Sequence, residues 1–200
     1  MDPKASRILE SIALLSLEKC AVKLSRISAG KWTVADVRVS SSGLEESIKE
    51  HSSGSRGTGA AVYFEIRGEY PFTAMIVFRP EDIDTISRGF LGFSFSKLPN
   101  LSQAQELLLS ELGNIILNSI VSSLSNTLKH GFLPSAPKCV QGETRFLLEA
   151  LWTSVDKKLR HRLVTVYMDL EYDKTVTRSE VLVLIPESIE NALTGASEAY

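Results

Sequence analysis

The chain has 200 residues, 44% of them hydrophobic and 23% charged, with a formal net charge of -2 and a pI near 6.0. That is apolar material for one substantial domain, or for two small halves sharing a core, and it supplies neither a basic field for nucleic acid nor a polybasic stretch for a membrane surface. No continuous apolar run reaches the roughly 18 to 20 residues of a membrane span.

The first segment, MDPKASRILESIALLSLEK, places acidic and basic residues within an apolar helical period. It reads as an amphipathic helix and not as a signal peptide, and the expectation is a cytoplasmic protein. Asp2 followed by Pro3 gives an N-cap with proline at the first helical position, and the period runs on to Gly30 as a stop. A short segment, LEESIKE at 44–50, leads into HSSGSRGTG at 51–59, a Ser/Gly-rich stretch that reads as a mobile loop. YFEIRGEYPFTAMIVFRPEDI at 63–83 is a strand, a turn, a second strand and a proline that opens a helix.

The second half repeats this order. Ser102 and Gln105 have capping-box spacing at the start of a second long helix, which ends near Gly131 with Pro134 and Pro137 beyond it. FLLEALWTSV at 146–155 matches the earlier short segment, and YMDLEYDKTVTRSEVLVLIPESI at 167–189 matches the earlier strand pair with a small insertion. Helix, strand, short helix, two long strands and helix thus run twice, over about 1–98 and 99–200. The expected fold is α+β: one internally duplicated domain, with a continuous antiparallel sheet and the two long helices packed across it. Cys20 falls in a predicted helix and Cys139 in a predicted strand, which favours buried reduced thiols over a disulfide. Trp32 and Trp152 read as core residues.

The second long helix is apolar around most of its circumference. At 100° per residue, Glu111, Asn114, Asn118, Ser122, Ser125 and Lys129 fall within an arc of about 80° and form one polar line. Shifting the first half by 101 positions sets Glu10, Ala13, Leu17, Ala21, Leu24 and Ser28 against that line, where the polar character is largely gone. Asparagine lowers helix propensity by roughly 0.6 kcal/mol relative to alanine, so two of them carry a small cost. A solvated helix face explains most such stripes; a site in one half only is the alternative.

Other chemistries find no pattern. His51, His130 and His161 lack chelating spacing, and no Ser/His/Asp or Cys/His order stands out. GSRGTG at 54–59 lacks the strand-loop-helix context and Gly-Lys-Ser/Thr of a phosphate cradle. DKKLRHR at 156–162 is the densest basic run and reads first as a solvated lead-in to a strand, second as a contact for an acidic partner.

Within ELGNIILNSIVSSLSNTLKHGFLPSAP, Glu111, Asn114 and Pro137 stand at the spacing Glu, two residues, Asn, twenty-two residues, Pro. With the repeated architecture, this resembles the CheC/CheX/FliY family of response-regulator phosphatases, CheC-type members most, over essentially the whole chain. The leading Asp or Ser of the signature falls on Leu107 and is absent, and the first half has Glu10 with Ala13, and Asp36 in place of the proline, so the resemblance implies one site. It implies further that the substrate is a phosphorylated CheY-type regulator, that Asn114 holds the attacking water, and that Glu111 docks on the regulator's active-site lysine. Mg²⁺ would arrive with that substrate, and the chain needs no cofactor of its own. The resemblance leaves two other readings: a non-catalytic binding module like the middle domain of the flagellar switch protein FliM, and an adaptor for the deamidase CheD.

Overall fold

The computed structural model describes residues 1–28, 30–42, 46, 58–92, 102–153, 158–172 and 174–196. Five helices are described: α1 (Pro3–Ile27), α2 (Pro80–Leu91), α3 (Gln103–Leu128), α4 (Thr144–Thr153) and α5 (Glu187–Ala196). The strands are β1 (Thr33–Ser42), β2 (Thr58–Gly68), β3 (Phe72–Phe78), β4 (Phe132–Pro134), β5 (Lys138–Glu143), β6 (His161–Tyr172) and β7 (Thr175–Pro186). They form one seven-stranded sheet in the order β1-β6-β7-β3-β2, with β4 and β5 both on the outer edge of β2. Every pair is antiparallel, so the architecture is α+β as expected. The short segment at 44–50 lies almost wholly outside the described residues, as do the loop at 51–57 with His51 and the junction near residue 98.

The pairing is interlocked. β1, early in the chain, pairs with the late β6, whereas the late β4 and β5 pair with the early β2. At the centre β3 lies against β7, with Met75 opposite Leu182 and Ile76 opposite Val181. The two outer edges share an irregularity. β1 shifts register against β6 between Val34 and Asp36. On the other edge Pro134 faces Ile66 and Lys138 faces Tyr63, so the stretch holding Ala136 and Pro137 contains one extra residue. A residue without an N–H is tolerated where the ladder is already interrupted.

Alternation along the strands sorts side chains to two cores. One face carries Val62, Phe64, Ile76, Val166 and Val183 beneath α1 and α3, whose Leu17, Leu24, Leu112, Ile116 and Leu117 are buried against it. Each such side chain contributes about 1.5 to 3 kcal/mol when fully buried. The other face carries Ala61, Met75, Val77, Leu163, Leu182 and Leu184 under α4, which buries Leu147, Leu148 and Leu151. Trp32 is buried and stacks on Tyr172 with ring centroids 5.3 Å apart; Trp152 packs half-buried against the smaller core. Cys20 and Cys139 are free thiols, and burial pushes them up to about 12 and about 11 respectively.

The helix starts follow the sequence reading. Asp2 accepts from the backbone N–H of Lys4 at 2.7 Å, Pro3 is the first helical residue, and Ser102 with Gln105 forms a full capping box. The ends do not. α1 stops at Ile27 with Ser28 as cap, before Gly30. α3 stops at Leu128, because Lys129 itself adopts the left-handed conformation (φ 56°) and donates its N–H to the Ser125 carbonyl, leaving Gly131 outside the cap. Thr58 and Gly59 belong to β2 and not to the preceding loop, and Pro186 ends β7 where the sequence suggests a helix start. α3 is also, by length and composition, apolar enough to cross a membrane, against the sequence reading; half of that stretch is buried within the fold.

Candidate functional site

α3 lies over the β2 and β5 side of the sheet. Gly113 sits directly on Val62: a Cβ there would meet Val62 Cγ1 at 2.9 Å. Val62 pairs with Cys139, two residues past Pro137, so the helix backbone at 113 is seated beside the strand edge that Pro137 interrupts. With Leu112, Gly113, Ile116 and Leu117 buried, the opposite face of the helix must point outward.

That outer face carries the predicted residues. Glu111 is exposed, Asn114 half-buried, and Asn118, Ser122 and Lys129 are exposed. Glu111 and Asn114, three residues apart, are surface neighbours with Cβ atoms about 5 to 6 Å apart. Asn118 Nδ2 donates to Asn114 Oδ1 at 2.7 Å. The carboxamide of Asn114 is thereby turned so that its own NH₂ group and the second lone pair of Oδ1 remain for an outside ligand. Ser125 departs from the predicted line: it is half-buried and its hydroxyl donates to the His130 carbonyl. Leu107, one turn before Glu111, is 65% exposed, so the head of the face is apolar and open to solvent.

Sequence reasoning places Asn118 on the line without a task; the i, i+4 spacing of two carboxamides is the signal for the bond it makes. It also sets the wrong residues of α1 against the site. The two helix caps, Asp2 and Ser102, are 100 positions apart, and on that offset buried Ala13, Leu17, Ala21 and Leu24 match buried Gly113, Leu117, Val121 and Leu124. The counterparts of Glu111 and Asn114 are therefore Ser11 and Leu14, both exposed, not Glu10 and Ala13. The first half still lacks the pair.

Elsewhere, two of the polar groups singled out in the sequence pair within the fold. His130 Nδ1 lies 2.7 Å from Glu69 Oε2, and Arg162 Nε lies 2.7 Å from Glu190 Oε2, which ties down the end of the basic run at 156–162. Among the described residues there is no group of three or more His, Cys, Asp or Glu side chains placed to hold a metal. The outward Glu111–Asn114 face offers a carboxylate acceptor and a fixed carboxamide on a convex helix.

No protein-family model matches the chain, and no curated protein sequence matches it significantly. Solved structures do. Thermotoga maritima FliY superposes with a TM-score of 0.72 at 18% identity, over 98% of this chain and 96% of that one. The FliM middle domain from H. pylori gives 0.63 at 13% identity, over 96% and 99%. A chemotactic CheC-like protein from Shewanella oneidensis MR-1 gives 0.54 at 12% identity, over 88% and 97%. The chain has the fold of the CheC/CheX/FliY proteins, which FliM's middle domain shares.

Proposed function

We propose that the chain is a cytoplasmic chemotaxis phosphatase that hydrolyses the aspartyl phosphate of a CheY-type response regulator. The observation that carries this reading is the outward Glu111–Asn114 pair on a fold like that of FliY and a CheC-like protein. In the reaction a water oxygen attacks phosphorus in line with the acyl oxygen, the acyl O–P bond breaks, and the regulator's carboxylate and inorganic phosphate are released. Such transfers are catalysed mainly by positioning and charge stabilisation. Asn114 aligns the water: a carboxamide both donates and accepts, and it stays neutral beside the anionic phosphoryl group. Glu111 pairs with the lysine of the regulator's pocket and sets the register of the helix in it. Mg²⁺ is held by the regulator's own carboxylates and arrives with the substrate.

Mixing the protein with a phosphorylated regulator and following decay of the acyl phosphate tests the reading. Faster decay is expected, with about a hundredfold loss of the acceleration in Asn114→Ala and weaker docking in Glu111→Ala. Unchanged decay would leave a binding module. Exposed Leu107, where the signature has Asp or Ser, and the likeness to the FliM middle domain favour that second reading. Capture of CheD without phosphatase activity would point to an adaptor.

A further inference from the structure

Beyond Asn118 the polar face runs into a groove of about 370 Å³ between α1 and α3. Its walls are cap-matched counterparts: Lys19, Val22, Lys23 and Arg26 on α1 stand against Ser119, Ser122, Ser123 and Asn126 on α3. One wall is cationic and the other neutral. α3 has no carboxylate after Glu111, and α1 has none after Glu18, which lines a different groove with Leu14 against β1. Lys19, Lys23 and Arg26 occupy one helical row, all three are exposed, and a like-charged i, i+4 pair such as Lys19 and Lys23 costs a few tenths of a kcal/mol. Arg26 complements the helix C-terminus, but Lys19 lies two turns from it, beyond the reach of that effect. Val22, 54% exposed, sits within the row.

We propose that this groove docks the acidic rim of the regulator whose phosphoaspartate is presented to Asn114. The identity of the partner rests on the phosphatase reading; the charge of the partner surface follows from the groove. Ser122 is eight residues along α3 from Asn114, about 12 Å. A partner domain about 30 Å across, seated on Asn114, must overhang that point. An aspartyl phosphate and the carboxylates that hold its Mg²⁺ give the partner a negative rim, and the three cations meet it as a row about 10 Å long, longer than one phosphate group. Rim charges of this kind act on association rate and on the choice of partner.

Binding, not turnover, is the test. The probe is the CheY-type regulator of the same organism, loaded with Mg²⁺ and beryllofluoride, and the readout is fluorescence anisotropy at low and high salt. The triple variant Lys19→Gln/Lys23→Gln/Arg26→Gln should bind about tenfold more weakly at low salt, the gap closing at high salt where the screening length falls below the groove's span. Ser122→Asp, which sets one carboxylate on the other wall to offset part of that field and leaves α1 untouched, should weaken binding in the same direction. Equal binding by wild type, the triple variant and Ser122→Asp would overturn the groove and leave the phosphatase reading standing, whereas tight, groove-dependent binding with no faster decay would do the reverse. If the variants keep regulator binding but lose wild-type co-sedimentation with phosphatidylethanolamine–phosphatidylglycerol vesicles, the row belongs to a membrane surface and the proposal fails. Absence of regulator binding by the wild-type protein would sink both.

Discussion

Asn118 holds Asn114 from one turn further along α3, its Nδ2 donating to Oδ1 at 2.7 Å. The bond is exposed, so its net worth to stability is at most about 1 kcal/mol. Its effect on geometry is larger, because an unheld carboxamide samples two opposite orientations and only one presents the free NH₂ and lone pair in a fixed sense. Asn118→Ala is therefore expected to lower kcat toward a phosphorylated regulator about fivefold, with KM nearly unchanged and the thermal midpoint unmoved. Asn118→Gln, which can still donate across one turn, should recover most of the rate. A change in KM alone would mean that Asn118 touches the partner and does not orient Asn114.

How much of this was legible in the sequence depends on which interactions are local. The caps at Asp2-Pro3 and Ser102/Gln105 are local chemistry and stand where the residues suggest, as does Pro80 at the start of α2, whereas Pro186 closes β7 instead of opening a helix. The helix ends are less legible, because a glycine marks where a chain is able to turn and not where it does. Lys129 takes the left-handed cap although Gly131 is close by. The matches Glu10 to Glu111 and Gly30 to Gly131 share identity, yet they slip the helices by one residue, and burial supplies the correct phase. The exchange of edge strands, β1 onto β6 and β5 onto β2, has no local signature, since it joins strands far apart in the chain. The site was legible as a polar line on an apolar helix; Asn118's bond and the cationic wall across from Ser122 needed coordinates.

Gly113 sets the height of the site above the sheet. A methyl group there would lie 2.9 Å from Val62 Cγ1 and 3.0 Å from its Cβ, and a β-branched side chain on a strand paired on both sides has little room to rotate away. Alanine would gain about 1 kcal/mol of helix propensity, against an overpacking cost of about 1 to 3 kcal/mol. The expected outcome for Gly113→Ala is a net loss of about 1 kcal/mol, read in denaturant melts, and reduced phosphatase activity as α3 is lifted. Val62→Ala should be destabilising alone yet nearly silent in the Gly113→Ala background, because the two changes relieve one contact. Additive losses would show that the helix does not rest on Val62.

The polar pair on the far side of the sheet gives the fold an acid limb with a definite sign. Asp169 is buried between β6 and β7, where Arg178 donates to it from Nε at 2.7 Å and from Nη2 at 2.6 Å. The bonds from Arg178 come first among the causes that hold the Asp169 carboxyl below the usual carboxylate range, and they outweigh the desolvation that opposes them. A carboxyl whose folded pKa lies below its unfolded value of about 3.9 binds fewer protons in the native state, so its contribution is complete above pH 4 or so and is lost as the pH falls through the folded value. Asp82 accepts the backbone N–H of Arg178 at 3.1 Å and is pushed upward by burial, which gives it the opposite sign. Asp169→Asn should therefore cost about 2 kcal/mol at neutral pH, with the difference from wild type shrinking as the pH falls below the unfolded carboxyl range and through the lowered folded value. Urea melts from pH 7 down to pH 2.5 measure it directly, and a gap that stays constant across that range would show that the ion pair is not what Asp169 contributes.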